Sequence, residues 1–182
     1  MDYQIGPVLI SAEKIADRVA ELGAQIAADY RGEKLTLICV LRGAAPFAVD
    51  LARAIGPDVD VCLEFMRVSS YGAGTSTSGE VKILQDLDQP VAGEHLLIVE
   101  DIIDSGLTLS KLQDYLRARQ PKSLKLCALL DKKARRQVPV EIHYCGFEIP
   151  DEFVIGYGLD YAEHFRHLAA IHTAVPSEGV QE

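Results

Sequence analysis

The stretch LLIVEDIIDSGLTLSKL, residues 96–112, places three carboxylates beside a run of small and hydroxylated residues. Glu100 and Asp101 follow four apolar residues, Ile102 and Ile103 come next, and Asp104 leads into Ser105-Gly106-Leu107-Thr108. An apolar run of this kind reads as a buried strand, and in open parallel sheets ligands bind beyond the carboxyl ends of the strands. A helix that starts there presents free backbone N–H groups and the positive end of its dipole to an anion such as phosphate. Glycine lets the backbone approach the ligand closely, and Ser105 and Thr108 add hydroxyl donors. Acids beside a phosphate repel it unless Mg²⁺ intervenes or the acids contact neutral hydroxyls such as those of a ribose. The stretch therefore reads as a site for a phosphorylated sugar. The alternative is a plain helix start, with Asp104 or Ser105 as its cap and Glu100 and Asp101 as solvated loop charges.

The elements around this stretch alternate. Ser11 is a candidate N-cap for a helix over residues 11–29, with Glu13 in its first turn and Ile15, Val19, Leu22 and Ile26 on one face. Residues 35–41 form a nearly continuous apolar run, as in a strand covered on both faces. It breaks at Arg42-Gly43, after which Phe47, Leu51 and Ile55 indicate a second helix. Val59, Val61, Leu63 and Phe65 alternate with mostly polar residues, which predicts a strand with one drier face. Residues 69–80 (SSYGAGTSTSGE) are small, polar and aperiodic, a length typical of functional loops. A strand over VKIL follows, then a turn over residues 86–93 and the opening strand over about 95–100. Leu109, Leu112 and Leu116 mark a third helix, LKLCALL another buried strand, and the chain beyond Pro139 reads as short strands and loops. Strands alternating with helices predict an α/β fold with a mainly parallel twisted sheet flanked by helices.

Composition narrows the setting. The 182 residues suit a single domain and carry 48% hydrophobic and 25% charged residues, as in globular proteins at large. A net charge of −9 argues against broad contact with nucleic acid or an anionic membrane, though a local site can still be cationic. No apolar run approaches the ~20 residues that span a bilayer. Cys39, Cys62, Cys127 and Cys145 lie far apart and form no CxxC pair, so they read as reduced thiols rather than zinc ligands or disulfides. With no secretion signal at the N-terminus, the expected location is the cytoplasm.

VEDIIDSGLT resembles the phosphoribosyl diphosphate (PRPP) motif of the type I phosphoribosyltransferases. LRGAAPF, SSYG, LLDKKARR and GFEIPDEFVIGYGLDYAEHFRHL are similar to segments of the hypoxanthine-guanine phosphoribosyltransferase family, in that family's order. The likeness runs from about Ile38 to Leu168. It implies a phosphoribosyltransferase core over about residues 30–135. A small hood for the base is implied from the N-terminal residues and about 136–182. It also implies a Mg²⁺-dependent transfer from PRPP to hypoxanthine or guanine, in a homodimer or homotetramer.

By the same resemblance each motif residue acquires a role. Glu100 and Asp101 correspond to acids that organise the ribose hydroxyls and metal, with Asp160 as a further metal-binding acid. Asp104 corresponds to the acid beside the purine N7. Ser105, Gly106, Leu107 and Thr108 correspond to the 5′-phosphate cradle, although Leu107 lacks the lysine found in some relatives. Arg42 and Gly43 correspond to the pyrophosphate loop, which in the family can carry a non-proline cis peptide, and Arg166 to a second pyrophosphate contact. Ser70 and Tyr71 correspond to a lid. Lys132 corresponds to the donor to the purine 6-oxygen, Phe153 to the aromatic stacked on the base, and Val154 to backbone contacts with its edge. Lys133 and the histidines His143, His164, His167 and His172 read as surface or packing residues. Two other classes fit parts of the pattern: a PRPP-binding regulator on the same fold that has lost turnover, and an unrelated acidic-pocket α/β protein. The first would have lost Asp104, Lys132 or Arg166; the second leaves the base-site segment unexplained. No GxxxxGK[ST] loop is present, and the single GxG at Gly156-Tyr157-Gly158 lacks the third glycine of a dinucleotide site.

Overall fold

A computed structural model describes residues 3–70 and 81–177. Ser11 accepts a hydrogen bond from Lys14 N–H and so caps α1 (Ala12–Asp29), whose Ile15, Val19, Leu22 and Ile26 are buried. The strands β2 (Lys34–Leu41), β3 (Asp60–Ser70), β5 (His95–Ile103), β6 (Ser123–Asp131) and β7 (Tyr144–Glu148) run parallel, with β4 (Val81–Gln85) antiparallel at one edge. Their order is β4-β3-β2-β5-β6-β7. Helices α2 (Ala45–Ile55) and α3 (Leu107–Arg117) complete the crossovers on either side of β2 and β5.

Both faces of this sheet are covered, and the period-two geometry of the strands divides their side chains between two cores. Leu35, Leu37, Cys39, Leu97, Val99, Cys127 and Leu129 join α1 and α2 in one core. Ile38, Val40, Leu96, Ile98, Leu126 and Ala128 join α3 in the other. Hence the central residues of β2, β5 and β6 are apolar in succession rather than alternating. The single drier face expected of β3 is not what forms. Leu63 and Phe65 pack towards the α1–α2 core, while Met66, of opposite parity, is fully buried in the α3 core.

A second, antiparallel sheet in the order β1-β9-β8 is built from β1 (Tyr3–Ile10), β8 (Val154–Ile155) and β9 (Ile171–Pro176). The segment from residue 136 onward is therefore shared. Tyr144–Glu148 extends the large sheet by pairing with β6, and only the later strands join β1 in the small one. Among the described residues no helix is long and apolar enough to cross a membrane. All four cysteines are free, Cys39 and Cys127 buried and Cys62 and Cys145 partly so.

Candidate active site

Strand β5 runs three residues further than its apolar pattern indicates, because Ile102 and Ile103 keep pairing with Leu130 and Asp131 of β6. Glu100 and Asp101 are thus strand residues held in the sheet, not solvated loop charges. Burial, and then the Asp101 charge, raise the Glu100 carboxyl well above its usual range. Burial pushes Asp101 up to about 6, against the opposing pull of the Ile102 N–H, its own backbone N–H and Arg166. Asp101 Oδ1 accepts from Ile102 N–H at 2.8 Å. Among the described residues Glu100 Oε2 is buried with no hydrogen-bond partner.

Beyond β5 the chain turns at Gly106, the N-cap of α3, in the left-handed conformation (φ 82°) and with no side-chain capping bond. Asp104 makes no bond to the helix start and Ser105 Oγ accepts only from Leu107 N–H, at 3.4 Å, so the other first-turn amides keep their capacity to bind an anion. A Cβ on Gly106 would also stand 2.7 Å from Val140 Cγ2. A cavity of about 270 Å³ opens over this turn, lined by Leu41, Glu100, Asp104, Ser105, Gly106 and Thr108 among others.

Lys132 follows the end of β6. Its main-chain N–H donates to Ile103 O at 3.0 Å, which ties the two strand ends together. Its side chain is only 6% exposed, and Nζ lies 3.6 Å from Asp104 Oδ1. Lys133 is different: it is 65% exposed and paired with Glu148.

The Leu41–Arg42 peptide is cis. Arg42 hydrogen-bonds Glu163, and Glu163 also lies 3.4 Å from Arg166 Nη2. Arg166 contacts Asp160 Oδ1 at 2.8 Å and donates to Gly158 O at 2.7 Å. The other Asp160 oxygen, Oδ2, accepts from Glu163 N–H at 2.8 Å. Asp160 is therefore engaged on both oxygens, and among the described residues no three acids, histidines or cysteines gather as a metal cluster.

Phe153, 45% exposed, leads into β8. Its ring centroid is 5.3 Å from Tyr3 and 5.9 Å from Tyr161, with Tyr3 and Tyr161 4.9 Å apart. Ala174 N–H donates to Phe153 O, which makes Val154 and Thr173 a non-hydrogen-bonded pair. The N–H and C=O of Val154 consequently point to the open edge of the small sheet. Of the two residues read as a lid, Ser70 ends β3 and Tyr71, with the rest of residues 71–80, lies outside the described residues.

The sequence reading missed Tyr3, Tyr161, Glu163 and the Asp131–Arg136 pair. All but Tyr3 lie inside the motifs LLDKKARR and GLDYAEHF, next to residues whose chemistry is plainer in sequence. Tyr3 gives no local signal, because it meets Phe153 only through strand pairing.

A parallel sheet with a phosphate-type turn after β5 and acids at its end is the architecture of a phosphoribosyltransferase. The chain belongs to this family: its phosphoribosyl transferase domain matches residues 9–162. Among curated relatives, the chain is 53% identical over 178 residues to the hypoxanthine-guanine phosphoribosyltransferase of Mycobacterium bovis, covering 94% of this chain and 87% of that one. It is 51% identical over 166 residues to the hypoxanthine phosphoribosyltransferase of Escherichia coli, covering 90% and 92%. A crystal structure of a hypoxanthine-guanine phosphoribosyltransferase from Bacillus anthracis superposes with a TM-score of 0.89 at 47% identity, covering 94% of this chain and all of that one.

Proposed function

We propose that this chain transfers the 5-phosphoribosyl group of PRPP to hypoxanthine, guanine or both, giving the nucleoside monophosphate and pyrophosphate. The observation that carries this reading is the facing of Lys132 Nζ and Asp104 Oδ1, 3.6 Å apart beside the uncapped turn at Gly106. A donor-only ammonium and an acid, held together next to a phosphate cradle, match the 6-oxygen and N7 of one 6-oxopurine.

In this reading Ser105, Gly106, Leu107 and Thr108 hold the 5′-phosphate through main-chain N–H groups and hydroxyls. Glu100 and Asp101 bind the ribose hydroxyls. Phe153, with Tyr3 and Tyr161 behind it, stacks on the base, and the Val154 main chain meets its edge. The bond from the anomeric carbon to the diphosphate oxygen breaks as the purine N9 bonds to that carbon. Asp104 takes the proton from N7. The sugar passes through an oxocarbenium-like state, as in glycoside cleavage. Arg42, Gly43 and Arg166 receive the departing pyrophosphate, and Ser70 and Tyr71 belong to a lid that keeps water out.

Mg²⁺ fits the acids present. A buried, unpartnered Glu100 Oε2 beside Asp101 suits an ion that takes one or two carboxylates and completes its shell with substrate oxygens and water. When bound, it neutralises diphosphate charge. Asp160 would join only by giving up a bond to Arg166 or to Glu163 N–H. Free cysteines accord with a cytoplasmic setting, and a homodimer or homotetramer is the assembly we propose.

The deciding assay is pyrophosphate release from PRPP and Mg²⁺ with hypoxanthine, guanine, xanthine and adenine in turn. Turnover with hypoxanthine or guanine is expected. PRPP binding without turnover on any purine would leave a regulator on the same fold instead.

A further inference from the structure

The transfer reading needs Lys132 and Asp104 at a fixed separation, yet they lie on the ends of different strands and Asp104 is half exposed. One side chain touches the neighbours of both. Arg136 pairs through Nη2 with Asp131 Oδ1, beside Lys132 in the chain, and its Nε donates to the main-chain oxygen of Asp104 at 3.3 Å. Asp131 is buried and the Arg136 side chain is mostly so. The residues after it extend the contact. Gln137 N–H and Val138 N–H both donate to Ser105 O, at 2.9 and 3.3 Å. Arg136 Cδ and Val140 Cγ2 close the space behind Gly106. A single segment thus backs the acid, the phosphate turn and the strand end that carries the lysine.

We propose that Arg136 is a positioning residue that sets the distance between Lys132 and Asp104; this rests on the transfer reading above. Its planar guanidinium spans a carboxylate on one strand end and a carbonyl on the other, which a compact ammonium does not. It also neutralises Asp131. A buried carboxylate stripped of its partner is strongly unfavourable, and here it would lie one residue from Lys132 and compete with the purine oxygen for the ammonium.

The test uses the full chain, with PRPP, Mg²⁺ and hypoxanthine or adenine. It compares wild type with Arg136→Lys and with the double variant Asp131→Asn/Arg136→Gln. The lysine variant keeps the charge on Asp131, and the double variant removes both charges together, so each avoids an unpaired buried carboxylate. In Arg136→Lys, kcat/KM for hypoxanthine should fall about 10- to 100-fold, the scale of a misplaced reacting group. The KM for PRPP should stay within about two-fold, because the main-chain cradle is retained, and the preference for hypoxanthine over adenine should narrow. The double variant should regain the wild-type melting temperature but not its kcat/KM. Should the lysine variant fail to fold, the double variant alone decides. Wild-type kcat/KM in a folded Arg136→Lys or in the double variant overturns the inference, as does a loss confined to the PRPP term. A wild type that turns over no purine removes the transfer reading and this inference with it, whereas an active wild type with an equally active variant removes this inference only.

Discussion

The Asp101 carboxylate occupies the space where a side chain at residue 43 would begin. A Cβ on Gly43 would stand 1.6 Å from Asp101 Oδ2, and one on Gly158 would stand 2.0 Å from Gly43 O. The loop after β2, the acid at the end of β5 and the turn before Asp160 are therefore packed backbone against carboxylate against backbone. Asp101 has little room to yield, being half-buried and tied to Ile102 N–H.

Gly43→Ala should accordingly displace the Asp101 carboxylate. We expect PRPP binding to weaken by at least about ten-fold, a cost in the range for overpacking a filled site, with the fold retained by circular dichroism. Calorimetric titration of PRPP with Mg²⁺ checks this, and wild-type affinity would show that Asp101 is free to move.

The raised carboxyls predict a pH dependence with a definite sign. A carboxyl whose folded value lies above its unfolded one contributes stability that is complete below the unfolded value, about 4. That contribution is lost as pH rises through the folded value. For Asp101 the loss runs from about pH 4 to about 6 and levels off above that. The melting temperature of metal-free protein should therefore fall between about pH 4 and 6 relative to an Asp101→Asn variant measured alongside. Mg²⁺ with PRPP, which favours the ionised acids, should stabilise more at pH 7 than at pH 5. Parallel curves for the two proteins would assign the titration to other groups.

These effects also mark how far the sequence was informative. The three helices, the buried strands β2, β5 and β6 and the glycine turn that starts α3 were legible because period and turn chemistry are local properties. The end of β5 was not, since Glu100 and Asp101 look like loop residues until β6 pairs with them. The same holds for β7, whose place in the large sheet depends on a neighbour well back in the chain. Arg42 and Arg166 were legible as cations, but not the Glu163 carboxylate they share, which comes to them through a turn with Ala162, Glu163 and Phe165 all at positive φ. The resemblance to a family supplied roles that spacing alone left open, above all for Lys132 and Phe153.

Glu163 supports a prediction of its own. Its carboxylate sits on the two arginines that the proposed chemistry gives to pyrophosphate. An anion entering there has to displace it. Glu163→Gln should therefore lower the inhibition constant of pyrophosphate. The pairs are largely exposed, and such pairs contribute about 0.2–1 kcal/mol, so the change should be only about two- to five-fold. Product-inhibition kinetics measure it, and weaker inhibition in the variant would make Glu163 an organiser of the arginines rather than a competitor.

Base choice rests on which of two adjacent lysines faces the site. Lys132 is buried with its Nζ toward Asp104, whereas Lys133 is exposed and held by Glu148. An ammonium can only donate, which suits the carbonyl of hypoxanthine or guanine and opposes the amino group of adenine. A buried donor left without its acceptor costs more than an imperfect apolar fit, and sites built on such a contact discriminate by ~10⁴ or more. Adenine should therefore be a very poor substrate. Lys132→Ala should raise KM for the 6-oxopurines and narrow their advantage over adenine, chiefly by weakening the good substrates. Lys133→Ala should leave both quantities within about two-fold, as expected for a surface ion pair. Steady-state kinetics on the two variants with hypoxanthine and adenine separate the cases. Greater sensitivity at Lys133, or efficient use of adenine by wild type, would move the purine to a different part of the cleft.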